Sequence, residues 1–345
     1  MVTPLEALQS AVYLLDRGFE PAFKVKAFLQ AAEVIRGLDP TEVEARAAAG
    51  TLTELDRIGP ATARLVTEAL QGGVPQYLVE LEAKTRVDPG SPEAATLRQA
   101  LRGDCHLHST WSDGGASIES MAATARTLGH DWIVITDHSP RLTVARGLTR
   151  ERLERQLEEV ADLNERFAPF RILTGIEVDV LPDGSLDQED DLLRRLDLVV
   201  ASVHSEFGMA PADMTRRLVT AIADPRTDIV GHITNRMTPR EGSRRRRGRG
   251  PSRFDAEMVF AAVARFDKAV EINCRPERRD PPRPLLREAV EWDCRIAIDT
   301  DAHAPGQLEW QGLGCGRARD CGVDADRVVN TMTAEDLTAW TASHR

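Results

Sequence analysis

The chain has 345 residues, 42% of them hydrophobic, and a net charge of −11, which calls for two domains rather than one small core and excludes a uniformly basic nucleic-acid coat. Five cysteines without a C-x-x-C pair argue against a disulfide framework or a zinc knuckle and fit a reducing cytoplasm. The start, Met1 to Glu6, lacks the pattern of a secretion signal, and no apolar run reaches membrane-spanning length, so the expectation is a soluble, unexported protein with no membrane partner.

Residues 3–83 read as helices, with Leu5, Leu8, Val12 and Leu15 at helical spacing. The expected division is a helical domain over 1–84, a turn-rich linker over 85–100 and a larger second domain over 101–345. Within the first domain, a short helix ends near Ile58, Gly59 suits a tight turn and Pro60 suits the first position of the next helix. This resembles a helix-hairpin-helix, in which Arg57, Gly59 and Ala61 would meet a DNA backbone; the alternative is a plain helical hairpin. Arg57 stands where that motif usually has its first glycine.

From residue 101 short apolar runs alternate with amphipathic segments. Strands are predicted near 101–107, 131–136, 170–178, 197–203, 228–232, 268–273 and 294–299. Helices are predicted near 117–129, 149–168, 188–195, 211–223, 254–266 and 284–292, with helical turns at 316–320 and 333–342. Seven strands with helical crossovers imply a parallel α/β sheet, closed as a barrel or left open and doubly wound. Ionisable residues gather at the strand ends, where barrel enzymes keep their chemistry. His106, His108 and Asp113 follow strand one, His138 strand two, Glu177 strand three, His204 strand four, His232 strand five, and Asp301 and His303 strand seven; of eight histidines only His130 and His344 lie elsewhere. Imidazole with carboxylate suits zinc, manganese or iron. Strand alternation would turn Asp104, His106 and His108 to one face and Cys105 and Leu107 to the other.

The motifs Asp-x-His-x-His-Ser-x-x-Ser-Asp-Gly at 104–114, Ile-Thr-Asp-His-Ser at 135–139, Gly-Ile-Glu-Val-Asp-Val at 175–180, Asp-Gly-Ser-Leu-Asp at 183–187, Val-Ala-Ser-Val-His-Ser at 200–205, Gly-His at 231–232, Glu-Ile-Asn at 271–273 and Asp-Thr-Asp-Ala-His at 299–303 occur in order. Together they resemble the polymerase and histidinol phosphatase (PHP) domain, most closely the version at the C-terminus of bacterial family-X DNA polymerases. Residues 23–28 and the hairpin are similar to the small N-terminal domain of those polymerases, but only a linker stands where their palm would be. The resemblance implies a distorted (β/α)7 barrel and three divalent ions (Zn, Mn or Fe). It assigns His106, His108, Glu177 and Asp301 to one ion, Glu177, His204 and His232 to a second, and Asp113, His138 and His303 to a third, with Glu177, His106 and Asp301 central to catalysis. It further implies hydrolysis by metal-activated hydroxide attack on phosphorus.

Asp104 and Asp137 adjoin ligands and are expected either to orient imidazoles or to bond locally at the strand ends. Arg141 and Arg275 are candidate phosphate forks. Of forty arginines, eight lie between Arg236 and Arg253, and Arg244, Arg245, Arg246 and Arg247 form a run after strand five that would draw a polyanion to the metal-bearing face, or be a solvated loop. The expected function is a phosphoesterase acting on single-stranded, nicked or 3′ DNA ends in repair, as a 3′–5′ exonuclease or 3′-phosphatase. The rivals are a small-molecule phosphatase of the histidinol-phosphate type and a non-catalytic DNA-binding accessory protein with a structural metal cluster. Departure from the family pattern occurs at Ile233-Thr234-Asn235-Arg236, after the His232 ligand.

Overall fold

A computed structural model describes residues 2–239 and 248–345, and its backbone packing divides the chain into two compact units. In the first, α1 (Pro4–Arg17), α2 (Ala22–Arg36), α3 (Pro40–Ala49), α4 (Pro60–Leu70) and α5 (Gln76–Thr85) enclose a core that includes Leu8, Leu15, Phe28, Ile35 and Leu65. A capping box between Thr3 and Glu6 starts α1. The α1 C-terminus is tied down by Arg17, whose buried guanidinium donates to Glu82 Oε2 at 2.8 Å and to Thr85 Oγ1.

The turn before α4 departs from the expected short helix and Gly59 turn: a 3-10 turn at Leu52–Glu54 precedes it, and Gly59, with φ of −91°, is the extended N-cap of α4. Arg57 holds φ of 65°, the left-handed conformation that glycine adopts most readily, so arginine here fills a glycine's backbone role. The Gly59 N–H is taken by Thr62 Oγ1 at 3.0 Å. Gly59, Pro60 and Ala61 are exposed, and the first-turn N–H of Ala61 has no intrahelical acceptor.

Residues 85–100 are not wholly a linker: Ser91 caps a helix, α6 (Pro92–Ala100), that belongs to the second unit. There follow β1 (Gly103–Leu107), α7 (Ile118–Thr127), β2 (Trp132–Ile135), α8 (Arg150–Phe167), β3 (Arg171–Asp179), α9 (Asp190–Leu193), β4 (Leu198–Ser202), α10 (Pro211–Ala223), β5 (Ile229–Val230), α11 (Ala256–Arg265), β6 (Ala269–Asn273), α12 (Arg283–Glu291), β7 (Arg295–Asp299), α13 (Gln311–Asp320) and α14 (Ala334–Ala342). The seven strands are parallel, in sequence order, and form a nearly closed barrel rather than an open sheet.

Alternation along the strands separates two apolar clusters. Ile133, Ile135 and Ile172 pack with Ile118, Met121, Val160 and Phe167 of α7 and α8. Trp132, Val134, Leu173, Leu198, Val200 and Ile229 fill the other side, with Leu337 and Trp340 of α14. The register of β1 against β2 shifts between Asp104 and Leu107, and Cys105 and Leu107 therefore fall in different clusters instead of sharing a face.

Side chains complete the barrel between β1 and β7. Asp299 Oδ1 accepts from the Cys105 N–H at 2.9 Å, and Asn330 Nδ2 donates to Asp299 Oδ1 at 2.8 Å while Asn330 Oδ1 accepts from the Ile298 N–H at 2.6 Å. Gln311 Nε2 donates to the carbonyls of both Gly103 and Ile298. Gln311 opens α13, which starts before the expected 316–320 because Gly312, Gly314 and Gly316 lower the helical signal. A Cβ on Gly314 would stand 2.3 Å from Cys274 Sγ, so glycine there serves close packing. All five cysteines are free and buried, and among the described residues no helix is long and apolar enough to cross a membrane.

Candidate metal centre

The C-terminal ends of the strands converge on Glu177, which is 1% exposed. Its Oε2 lies 3.4 Å from His106 Nε2, 3.7 Å from His108 Nε2 and 2.8 Å from His138 Nδ1. Its Oε1 lies 3.2 Å from His204 Nε2 and 2.8 Å from His232 Nε2. Asp301 Oδ1 approaches His108 Nε2 at 3.3 Å, and Asp113 Oδ1 approaches His138 and His303 at 3.5 and 3.4 Å. All nine expected ligands thus meet at one mouth. His106, His108 and Asp301 form one chelating group, His108, Asp113, His138 and His303 another, and His138, Glu177 and His204 a third.

This donor set fits divalent cations. Buried His106 Nε2 and both ring nitrogens of His108 lack a hydrogen-bond partner, a costly state for a core imidazole and the natural one for a ligand. Burial, then His303 and His138, push the His108 imidazole well below its ordinary value, leaving it neutral. Burial alone would raise the Glu177 carboxyl, but His204, His106 and His138 outweigh it and hold it well below the carboxylate range. Asp301 is held down likewise, with Arg275 and His108 overcoming burial. Two ligands, His232 (φ 23°) and Asp301 (φ 52°), hold left-handed backbone, a strain of about 1–3 kcal/mol each that clusters at functional sites.

The carboxylate that touches a ligand imidazole from behind is Glu271 on β6: its Oε1 lies 2.6 Å from His106 Nδ1. Asp104 and Asp137 touch no imidazole. Asp104 accepts from the Thr300 hydroxyl at 2.6 Å and Asp137 from the Ser109 hydroxyl and Gln156 Nε2, both at 2.6 Å, so they brace the ligand-bearing loops and the local-bonding alternative holds. Glu271 was legible only as part of Glu-Ile-Asn in an otherwise apolar strand; its place two residues before the strand end at Asn273 was the available signal.

A cavity of about 280 Å³ opens over the ligands. Leu142, Val144, Ala145 and Met237 line one side and Arg275, Glu277 and Arg278 another. Arg275 is already engaged, donating to Glu277 Oε1 at 3.0 Å and to the Asp301 carbonyl at 3.1 Å. Arg278, which the sequence did not single out, lies 3.2 Å from Asp301 Oδ2 while its Nε and Nη1 make no hydrogen bond. Arg141 is half-exposed, does not line the cavity and sits 4.0 Å from Asp179, which counts against it as a phosphate fork. Arg244, Arg245, Arg246 and Arg247 lie outside the described residues.

Residues 104–273 match the family described as PHP domain. The DNA polymerase/3′-5′ exonuclease PolX of Bacillus subtilis (strain 168) is 38% identical over 267 residues, 77% of this chain and 45% of that protein, so the chain spans less than half of this relative's length. A probable phosphatase of Thermoanaerobacter sp. (strain X514) is 28% identical over 241 residues, 66% of this chain and 89% of the relative. Among solved structures, a histidinol phosphate phosphatase from Lactococcus lactis covers 65% of this chain and 95% of its own at a TM-score of 0.45 and 18% identity.

Proposed function

Residues 104–273 are a PHP domain, and from that premise we propose that the chain is a metal-dependent phosphoester hydrolase acting on DNA ends, removing 3′-terminal nucleotides or phosphates. The observation that carries the reading is the cluster of nine ligand-type side chains in which buried His106 Nε2 and both ring nitrogens of His108 lack a hydrogen-bond partner among the described residues. His106, His108, Glu177 and Asp301 would hold one ion, Glu177, His204 and His232 a second, and Asp113, His138 and His303 a third. Bound there, zinc, manganese or iron supplies Lewis acidity to an attacking water and to the phosphoryl oxygens.

The chain's own groups do the positioning. Glu271 fixes the His106 ring through Nδ1, which leaves Nε2 facing Glu177. Asp137 and Asp104 hold the loops after β1 and β7 so that His108 and Asp301 stay in register. Arg278, paired through Nε with Asp301 Oδ2, keeps its Nη1 N–H for a phosphate oxygen, a role that Arg275 performs less readily because Glu277 and the Asp301 carbonyl already accept from it. Buried imidazoles and carboxylates have low reorganisation cost, which favours stabilising charge that develops at phosphorus.

The polymer substrate is supported by the 3′-5′ exonuclease name of the 38% identical relative and by the exposed hairpin turn around Arg57 and Ala61, which can offer backbone N–H groups to phosphate. A second reading, a small-molecule phosphatase, is favoured by the modest cavity of about 280 Å³. The two separate when manganese-loaded full chain, beside His106→Ala, is given end-labelled DNA carrying 3′-OH or 3′-phosphate and, in parallel, histidinol phosphate. Shortening or dephosphorylation of the DNA by wild type alone, with binding that weakens as salt rises, is expected. Turnover of histidinol phosphate with untouched DNA would replace this reading by the second.

A further inference from the structure

Between β6 and α12 one acidic side chain has no use in the reaction described above. Glu277 lines the cavity yet is only 8% exposed. Its Oε1 accepts from Arg275 Nε at 3.0 Å, while its Oε2, buried, has no hydrogen-bond partner among the described residues. An acceptor kept from water without a donor carries the full desolvation penalty of the group, which a donor on a bound molecule would relieve. Arg278, from the same loop, has the complementary deficit: its Nε is ion-paired with Asp301 Oδ2 at 3.2 Å, and its Nη1 has no partner among the described residues. The wall therefore presents an empty donor and an empty acceptor side by side. Arg275 fixes their distance from the ligands: its Nη1 donates to the Asp301 carbonyl at 3.1 Å and lies 2.9 Å from His303 Nδ1. Glu277 thus stands one guanidinium away from the centre of the proposed chemistry.

We infer that Glu277 is a specificity residue of this site: its free Oε2 accepts a hydrogen bond from a hydroxyl of the substrate next to the scissile phosphate, selecting strands that end in a 3′-hydroxyl over those that end in a 3′-phosphate. The inference rests on the DNA-end reading and deepens it, since it makes the site an exonuclease rather than a 3′-phosphatase. A hydroxyl satisfies the carboxylate. A terminal phosphate would instead set two further negative oxygens against it where little water screens them. The hydroxyl concerned is on the same sugar as the phosphoester that a 3′–5′ cut breaks, close enough for one site to hold both groups.

Three labelled strands of one sequence, ending in 3′-OH, in a 2′,3′-dideoxy sugar or in 3′-phosphate, test this in the manganese-loaded full chain. Wild type is expected to favour 3′-OH over the dideoxy end by about tenfold or more in kcat/KM, the effect of one hydrogen bond to a charged acceptor. Glu277→Ala brings that ratio close to one. Glu277→Gln, which keeps the shape and an oxygen for Arg275, relaxes the rejection of 3′-phosphate. Anisotropy of the same strands, with calcium in place of manganese, should give the same order of affinities. Equal handling of the three ends by wild type, or a preference that survives in Glu277→Ala, overturns the inference while the DNA reading stands. If no strand is cut, that reading fails, and glycerol phosphate against propyl phosphate then asks the same question of Glu277: an unchanged ratio in Glu277→Ala, or no hydrolysis of either, overturns it.

Discussion

The two ends of the barrel treat buried polar groups in opposite ways. At the β1–β7 junction Asn330 and Gln311 spend their amides on the carbonyls of Gly103 and Ile298, the Ile298 N–H, Asp299 and His130. At the mouth His108, equally buried, leaves both ring nitrogens without a hydrogen bond, and His106 leaves one. Asn330 and Gln311 are filled and His108 is not, although Asp299 Oδ2 and His130 Nδ1 beside the junction also lack a partner among the described residues, so the contrast lies between these side chains: the amides are kept for the fold and the imidazole for a ligand.

That contrast is sharpened most by His108→Leu. Replacing a neutral imidazole that has no hydrogen bond with an apolar side chain of similar size should leave the urea midpoint of the metal-free chain unchanged or raised. Phosphoester hydrolysis by the metal-loaded variant should fall at least about a hundredfold, because the metal's contribution is several kcal/mol. A large loss of metal-free stability would break the contrast by making His108 a structural residue. Asn330→Ala should behave in reverse: it strands the Ile298 N–H and takes one of two donors from the Gly103 carbonyl and from Asp299 Oδ1, and about 1–3 kcal/mol of unfolding free energy should be lost in urea melts while the rate per folded molecule is largely kept.

The same reasoning says which of this lay in the sequence. The convergence of the nine expected ligands was legible because parallel strands deliver their last side chains to one place, so histidines ending five strands and a glutamate ending another had to meet. Asp104 and Asp137 adjoin expected ligands in the sequence, where either role was open; their partners, Thr300, Ser109, Ser112 and Gln156, come from other loops or from α8 and leave no local pattern. Glu271 was hidden in an apolar strand, and Arg278 among five arginines and acids between residues 275 and 280 that only tertiary packing sorts into engaged and free. The junction of β1 and β7 has no sequence pattern at all, since isolated amides 19 residues apart close it. Glycines that let α13 approach Cys274 also disguised its first turn.

His130 gives a smaller test at the satisfied end. Its Nε2 lies 3.0 Å from Gln311 Oε1, and burial, then Arg98, lower its imidazole to about 3. A histidine whose folded value lies below its unfolded one favours the fold when neutral, so this contribution is present above about pH 6.5 and lost as pH falls toward 3. Between pH 7.5 and 5, His130→Gln should lose less stability than wild type, by about 2 kcal/mol in paired urea titrations. Identical pH slopes would show that burial and Arg98 do not hold the His130 imidazole neutral.

The central claim, that the mouth is a metal centre, is tested most directly by anomalous diffraction from crystals of the full chain grown with manganese. The account predicts anomalous peaks enclosed by Glu177 and its five neighbouring histidines and by Asp113, Asp301 and His303. A map with no peak there, at a manganese concentration that saturates any binding seen in solution, would contradict it.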